Sequence, residues 1–156
     1  MSAIKVGIVG TGSVASSVHL PILTRRTDLF EIVALADLNV NAAHALADRF
    51  GISRDVCFAD PKKMIDSKEV DAVLILNSGS HAEIVEMALR AGKTVFCEKP
   101  LAYSRAELKA IEKAKSESGS ALMIGYMKTF DPAVVEAQKA IKTRPRTVDV
   151  LVLHPS

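Results

Sequence analysis

Ile4-Lys5-Val6-Gly7-Ile8-Val9-Gly10-Thr11-Gly12-Ser13-Val14-Ala15 is the stretch on which the reading of the fold turns. A short apolar run ends in the glycine turn Gly10-Thr11-Gly12, and a mostly apolar, helix-compatible stretch follows from Ser13. The spacing is G-x-G-x-x-A, the dinucleotide-binding fingerprint with Ala15 in place of the third glycine. Each position has a physical reason. Gly10 permits a sharp turn out of the strand. Gly12 lacks a Cβ, so backbone can come close to a pyrophosphate. A small residue at 15 lets the helix lie against the strand. The helix start at Ser13 and Val14 offers free N–H groups and a partial positive charge to phosphate oxygens. Alone, the same pattern also suits a plain turn between a buried strand and a helix.

Strand and helix signals alternate outward from this turn. Strands are expected at Lys5–Val9, Glu31–Ala36, Val56–Phe58, Ala72–Leu76, Thr94–Cys97, Ala121–Ile124 and Thr147–Leu153. The first helix is expected from Ser13 to about Arg26, kinked or broken by Pro21. Asn41–Phe50 is an alanine-rich helix closed by Gly51. Asp60-Pro61 and Asp131-Pro132 read as an N-cap followed by proline at the first helical position. Ser80…Glu83 and Ser104…Glu107 have capping-box spacing. The helix after Ser80 places Ile84, Val85, Ala88 and Leu89 on one face, and the helix after Ser104 is expected to bury Leu108, Ile111 and Ala114. Strands apolar on both faces and separated by helices imply a parallel sheet covered on both sides. The expected fold is therefore α/β, a doubly wound parallel sheet of Rossmann type in a single domain spanning 1–156, with a ligand crevice at the carboxyl ends of the strands.

Composition narrows the classes of function. The 156 residues carry 49% hydrophobic and 24% charged side chains, which suits one globular domain. A net charge of +2 and 4% aromatic residues leave no basic stripe and few stacking platforms, so no nucleic-acid partner is expected. No apolar run approaches the roughly 18 residues of a membrane span, and no signal-peptide pattern precedes the first strand. Cys57 and Cys97 lie in or beside expected strands and read as reduced, buried small side chains of a cytoplasmic protein, with a catalytic thiol the lesser alternative. The histidines, cysteines and acids show no metal-site spacing. His44 is expected to be exposed on its helix, and His19 to pack between helix and loop.

Asp37 stands at the end of the second strand, 22 residues after Ala15. A carboxylate there accepts hydrogen bonds from ribose hydroxyls and repels a 2′-phosphate. Leu38, Asn39 and Val40 provide no arginine for such a phosphate, so NAD is favoured over NADP.

Further segments resemble one family. Lys5–Ala15, His19-Leu20-Pro21, Asp37, Asn77 to His81, Glu98-Lys99-Pro100-Leu101-Ala102, Gly125-Tyr126-Met127-Lys128 and Phe130-Asp131-Pro132 together look like the N-terminal domain of the glucose–fructose oxidoreductase, inositol dehydrogenase and rhizopine-catabolism (Gfo/Idh/MocA) family. The Glu-Lys-Pro element is the most specific of these. The loop Asn77-Ser78-Gly79-Ser80-His81 departs from the commoner Thr-Pro-Asn pattern. The resemblance implies that Lys99 faces the nicotinamide and the substrate's reacting oxygen, as the catalytic residue. It implies that Glu98 binds cofactor ribose, and that Asn77, Ser78 and His81 contact the cofactor. For His81, covering the first turn of its helix is an equal alternative.

The family likeness also implies hydride transfer between a nicotinamide cofactor and a secondary alcohol of a sugar, cyclitol or related polyol. It implies a further C-terminal domain that forms the substrate pocket and an oligomer interface. Three arrangements stay open on the sequence. The chain is the cofactor part of a longer oxidoreductase, a stand-alone NAD-binding sensor or subunit without turnover, or a doubly wound domain with a degenerate site.

Overall fold

The strands β1 (Ile4–Val9), β2 (Phe30–Ala36), β3 (Cys57–Phe58), β4 (Ala72–Ile75), β5 (Thr94–Cys97) and β6 (Leu122–Ile124) form one six-stranded sheet in the order β3-β2-β1-β4-β5-β6. All five neighbouring pairs are parallel. The computed structural model describes residues 2–143. The expected strand Thr147–Leu153 lies outside the described residues. Two compact units divide at Gly125, and all six strands belong to the first. The second, from Tyr126, holds a 3₁₀ turn (Met127–Phe130) and a helix, α6 (Pro132–Thr143), opened by Asp131, whose Oδ1 accepts from the Ala133 N–H at 3.0 Å.

The chain winds outward from β1 in both directions. β1 pairs with β2 on one side and β4 on the other. The order therefore reverses at β1, and the loops after β1 and β4 face one another across a gap at their carboxyl ends. Alternation along β1 serves both faces of the sheet. Val6 and Ile8 join a core with Leu20, Leu35 and Leu46, under α1 (Leu20–Leu23) and α2 (Val40–Phe50). Val9 joins the other core with Met64, Ile75, Val85, Leu89 and Ile111, under α3 (Pro61–Ile65), α4 (Ala82–Arg90) and α5 (Arg105–Ser118). Burying each Leu, Ile or Val stabilises the fold by about 1.5–3 kcal/mol. Gly7 points to this second face, where a Cβ would lie 3.0 Å from the Met64 sulfur.

Several helix ends follow their local sequence. Asp60 Oδ1 accepts from the Lys62 N–H at 2.9 Å with Pro61 at the first position. Gly51 and Gly119 close α2 and α5 in the left-handed conformation. Ser104 and Glu107 form the expected capping box.

Several expectations differ, and Cys57, expected to be buried, is only half-buried. The helix after the glycine turn is not broken at Pro21. It widens to a π turn over Ala15–His19, with Leu20 N–H donating to Ala15 O, before α1 resumes. Proline has no N–H and its ring collides with the carbonyl four residues back, so a wider turn accommodates it. Ser80 and Glu83 do not form a capping box. Ser80 Oγ donates instead to Glu107 Oε1 at 3.1 Å, and α4 begins at Ala82. Leu108 is 40% exposed, while Ile111 and Ala114 are buried as expected, because α5 turns a narrower stripe to the sheet than its apolar residues suggest. His44, expected to be exposed, is half-buried.

Candidate functional site

The glycine turn sits at the reversal point, and its two glycines have different reasons to be there. Gly10 has φ +89°. A Cβ on it would fall 2.4 Å from Asn77 N and 2.5 Å from Asn77 Cα, so the end of β1 and the loop after β4 touch backbone to backbone. Gly12 is the reverse case, with open space where its Cβ would be. Ala15 is fully buried in the core under the helix, which explains the need for a small residue.

A cleft of about 350 Å³ opens between the loops, lined among others by Gly10, Gly12, Ser13, Val14, Asp37, Asn77 and Ser78. Seven of the ten residues expected to bind cofactor are thus brought together. Leu38, Pro61 and Ile84 add an apolar wall at the Asp37 end, and Leu38 is 89% exposed. At the helix start, the first-turn N–H groups of Ser13 and Val14 have no intrahelical acceptor.

Asp37 is held firmly. Its Oδ2 accepts from the Thr11 N–H at 2.9 Å and the Thr11 hydroxyl at 2.7 Å, and its Oδ1 accepts from the Asn39 N–H at 3.0 Å. Burial pushes the carboxyl's pKa up, but the Thr11 and Asn39 donors outweigh it and hold it below the ordinary value. Thr11 was invisible as a partner from sequence, because its contact reaches 26 residues along the chain.

The remaining expected residues lie elsewhere. His81 is 3% exposed and does not line the cleft. Its Nδ1 is 2.6 Å from Pro100 O and its Nε2 is 2.7 Å from Asn77 O, so both nitrogens are engaged by backbone and the ring ties the two loops together. Glu98 follows β5, its N–H donating to Ile75 O at 2.9 Å. Its Oε1 lies 3.3 Å from His19 Nε2, and the His19 ring stands edge-on to Phe96 at 5.3 Å. A Cβ on Gly125 would lie 3.0 Å from Phe96 Cζ and 3.2 Å from that same oxygen, so a side chain there would have to displace them. Lys99 is exposed beside this corner and precedes a cis peptide bond to Pro100. Cys97 is buried beneath it, and burial together with the Glu98 charge pushes its thiol up to about 12. Such a thiol is not an ionised nucleophile at neutral pH. Among the described residues no group of His, Cys, Asp and Glu could hold a metal ion, and no helix is long and apolar enough to cross a membrane.

A doubly wound sheet with a glycine turn, a free helix start and an ionised acid around one cleft defines a dinucleotide-binding Rossmann domain. The chain belongs to the Gfo/Idh/MocA oxidoreductase family with NAD-binding Rossmann fold, which it matches over residues 4–126. It is 33% identical over 153 residues to the inositol 2-dehydrogenase of Azotobacter vinelandii, an alignment that covers 97% of this chain and 44% of that protein. The fold superposes on a myo-inositol dehydrogenase of Lactobacillus casei solved with NAD(H) and myo-inositol, with TM-score 0.83 and 27% identity over 90% of this chain and 42% of that one. It also superposes on a 3-ketoreductase of Actinomadura kijaniata solved with NADP, with TM-score 0.78 and 30% identity over 90% of this chain and 44% of that one. The chain thus spans less than half the length of these relatives.

The residues present fit the dinucleotide the family is described by. Gly12 leaves room where a side chain would block a phosphate. Asn77 Oδ1 is a buried acceptor with no partner, beside the cleft its residue lines.

Proposed function

We propose that this chain holds NAD in a dehydrogenase that interconverts a secondary alcohol of a cyclitol or sugar with its ketone. The carrying observation is the cleft at the β1/β4 reversal, where Gly12 leaves room and Asp37 supplies charge, with the buried, unpartnered Asn77 Oδ1 beside it. The cyclitol or sugar class follows the inositol dehydrogenases among the relatives. Bound NAD supplies the hydride acceptor. In this reading the N–H groups at Ser13 and Val14 meet the pyrophosphate across the open side of Gly12. Asp37 accepts from the adenosine ribose. Asn77 and Ser78 line the path toward the nicotinamide end. Glu98, steadied by His19, reaches the nearer ribose.

Lys99 is assigned the chemistry. Its ammonium orients the substrate hydroxyl and stabilises negative charge developing on that oxygen as the hydroxyl proton passes to a general base or water. His81 positions this corner by joining the Asn77 and Pro100 loops rather than by touching cofactor. Lys99 stands in solvent among the described residues, where its field is weak. Turnover therefore requires a further wall of protein that excludes water.

Calorimetric titration with NAD and NADP tests the binding claim. NAD is expected to bind more tightly, and no heat with either dinucleotide overturns the proposal. A hydride-transfer assay over inositols and sugars on this chain alone is expected to show no appreciable turnover. Robust turnover would refute the need for an enclosing wall.

A further inference from the structure

The two loops that meet at Asp37 leave it little freedom. An ionised carboxylate has about four lone-pair directions. Three are filled by the chain itself, two on Oδ2 from Thr11 and one on Oδ1 from Asn39. One direction on Oδ1 stays open. Thr11 is 7% exposed and Asp37 is partly buried, so the Thr11 hydroxyl bond is shielded from competing water.

We infer that Thr11 is a specificity-determining positioning residue: its hydroxyl locks the Asp37 carboxylate so that it offers one Oδ1 acceptor to the adenosine ribose and a fixed negative charge where a 2′-phosphate would sit. The inference rests on the proposed dinucleotide site and concerns only how the selection is made. The turn residue between two glycines is commonly taken as a spacer. Here its backbone N–H sets the loop, and its hydroxyl adds the second donor that fixes the carboxylate's rotation. With the hydroxyl gone, Oδ2 keeps a single donor and the carboxylate can swing toward water. The geometry needed by NAD is then populated only part of the time, and apparent affinity falls by that fraction. NADP gains nothing from the locked carboxylate, so its affinity holds or improves. The ratio of the two dissociation constants therefore falls.

The test uses the chain as it stands, with Thr11→Val, Thr11→Ser and Thr11→Ala. Valine preserves shape and removes the hydroxyl, and serine returns it. Calorimetry should show Thr11→Val binding NAD about tenfold more weakly, the loss of roughly one charge-assisted hydrogen bond, with the preference for NAD over NADP reduced by about the same factor. Thr11→Ser should recover most of both effects. A second readout needs no cofactor. In carbon-13 NMR titration the Asp37 carboxyl midpoint should rise in Thr11→Val and return in Thr11→Ser. Thr11→Ala serves both measurements if valine does not fold.

The possible failures are distinct. If the wild-type chain binds neither dinucleotide while the Asp37 midpoint still responds to the hydroxyl, the cofactor reading fails and the lock stands as a structural device only. If the wild type binds NAD and Thr11→Val leaves both affinity ratio and midpoint unchanged, the inference is overturned. A uniform loss of both dinucleotides that serine does not rescue overturns it as well, because that is the signature of a damaged turn.

Discussion

Alanine at Gly10 and alanine at Gly12 should have opposite consequences, although the positions are two residues apart. At Gly10 the new Cβ would lie 2.4 Å from Asn77 N and 2.5 Å from Asn77 Cα, with Leu76 C at 2.8 Å. These are backbone atoms at the end of a central strand, and they cannot rotate away. The φ of +89° is itself unfavourable for an L-residue, by about 1–2 kcal/mol. Forcing β1 and the β4 end apart adds about 1–3 kcal/mol. Gly10→Ala should therefore lose about 2–5 kcal/mol, a large part of the roughly 5–15 kcal/mol typical of a domain. At Gly12 nothing lies within 4 Å of the new methyl, and Gly12 is not among the glycines of positive φ. Stability should hold or rise by about 0.4–1 kcal/mol, since alanine restricts the unfolded chain. The methyl instead occupies the space proposed for phosphate. Urea unfolding of both variants, with NAD calorimetry on Gly12→Ala, separates the two roles. Gly10→Ala as stable as wild type, or Gly12→Ala binding NAD with unchanged affinity, refutes the reasoning.

Three further outcomes follow from the site. His81→Ala removes the ring held between the Pro100 and Asn77 carbonyls and leaves the one that accepts its N–H without a donor. It should lose about 2–4 kcal/mol in urea unfolding, and a loss under about 0.5 kcal/mol would mean the two loops hold without the ring. Asp37 has a folded pKa below its ordinary value, so its contribution is present above the unfolded carboxylate's titration and is lost as pH falls through the folded one. The stability gap between wild type and Asp37→Asn, read as urea midpoint against pH, should narrow in acid below the ordinary carboxylate range; a gap independent of pH contradicts the assignment. Cys97, buried with its thiol pushed up to about 12, should resist iodoacetamide at pH 8 until urea unfolds the chain, as read by mass spectrometry, and rapid native labelling would count against it.

Much of the fold was legible because its determinants are local. Ser104 and Glu107 form their capping box within one turn of chain, and Asp60-Pro61 opens α3 within three residues. Ser80 and Glu83 had the same spacing without closing a box: Ser80 Oγ accepts from the Ala82 N–H at 3.3 Å and donates to Glu107, 27 residues away, and α4 begins only at Ala82. Pro21 announced a disturbance, and the helix accommodates it by widening to a π turn over Ala15–His19 instead of breaking. His81 was readable as a residue of interest. Its two carbonyl partners come from loops on either side of it in space, and only one of those is near in sequence.

By itself the sequence determined the alternation of buried strands and amphipathic helices, the glycine turn, an acid at the end of β2 and the Glu98-Lys99-Pro100 corner. These follow from backbone restrictions and hydrophobic period, which act over a few residues. The tertiary structure alone decided the strand order that puts Gly10 against Asn77, the lock of Thr11 on Asp37, and the withdrawal of His81 from the cleft into the joint beneath it. Each of these needs two distant segments in one register. Register is settled by packing on both faces of the sheet at once, and no local pattern encodes it.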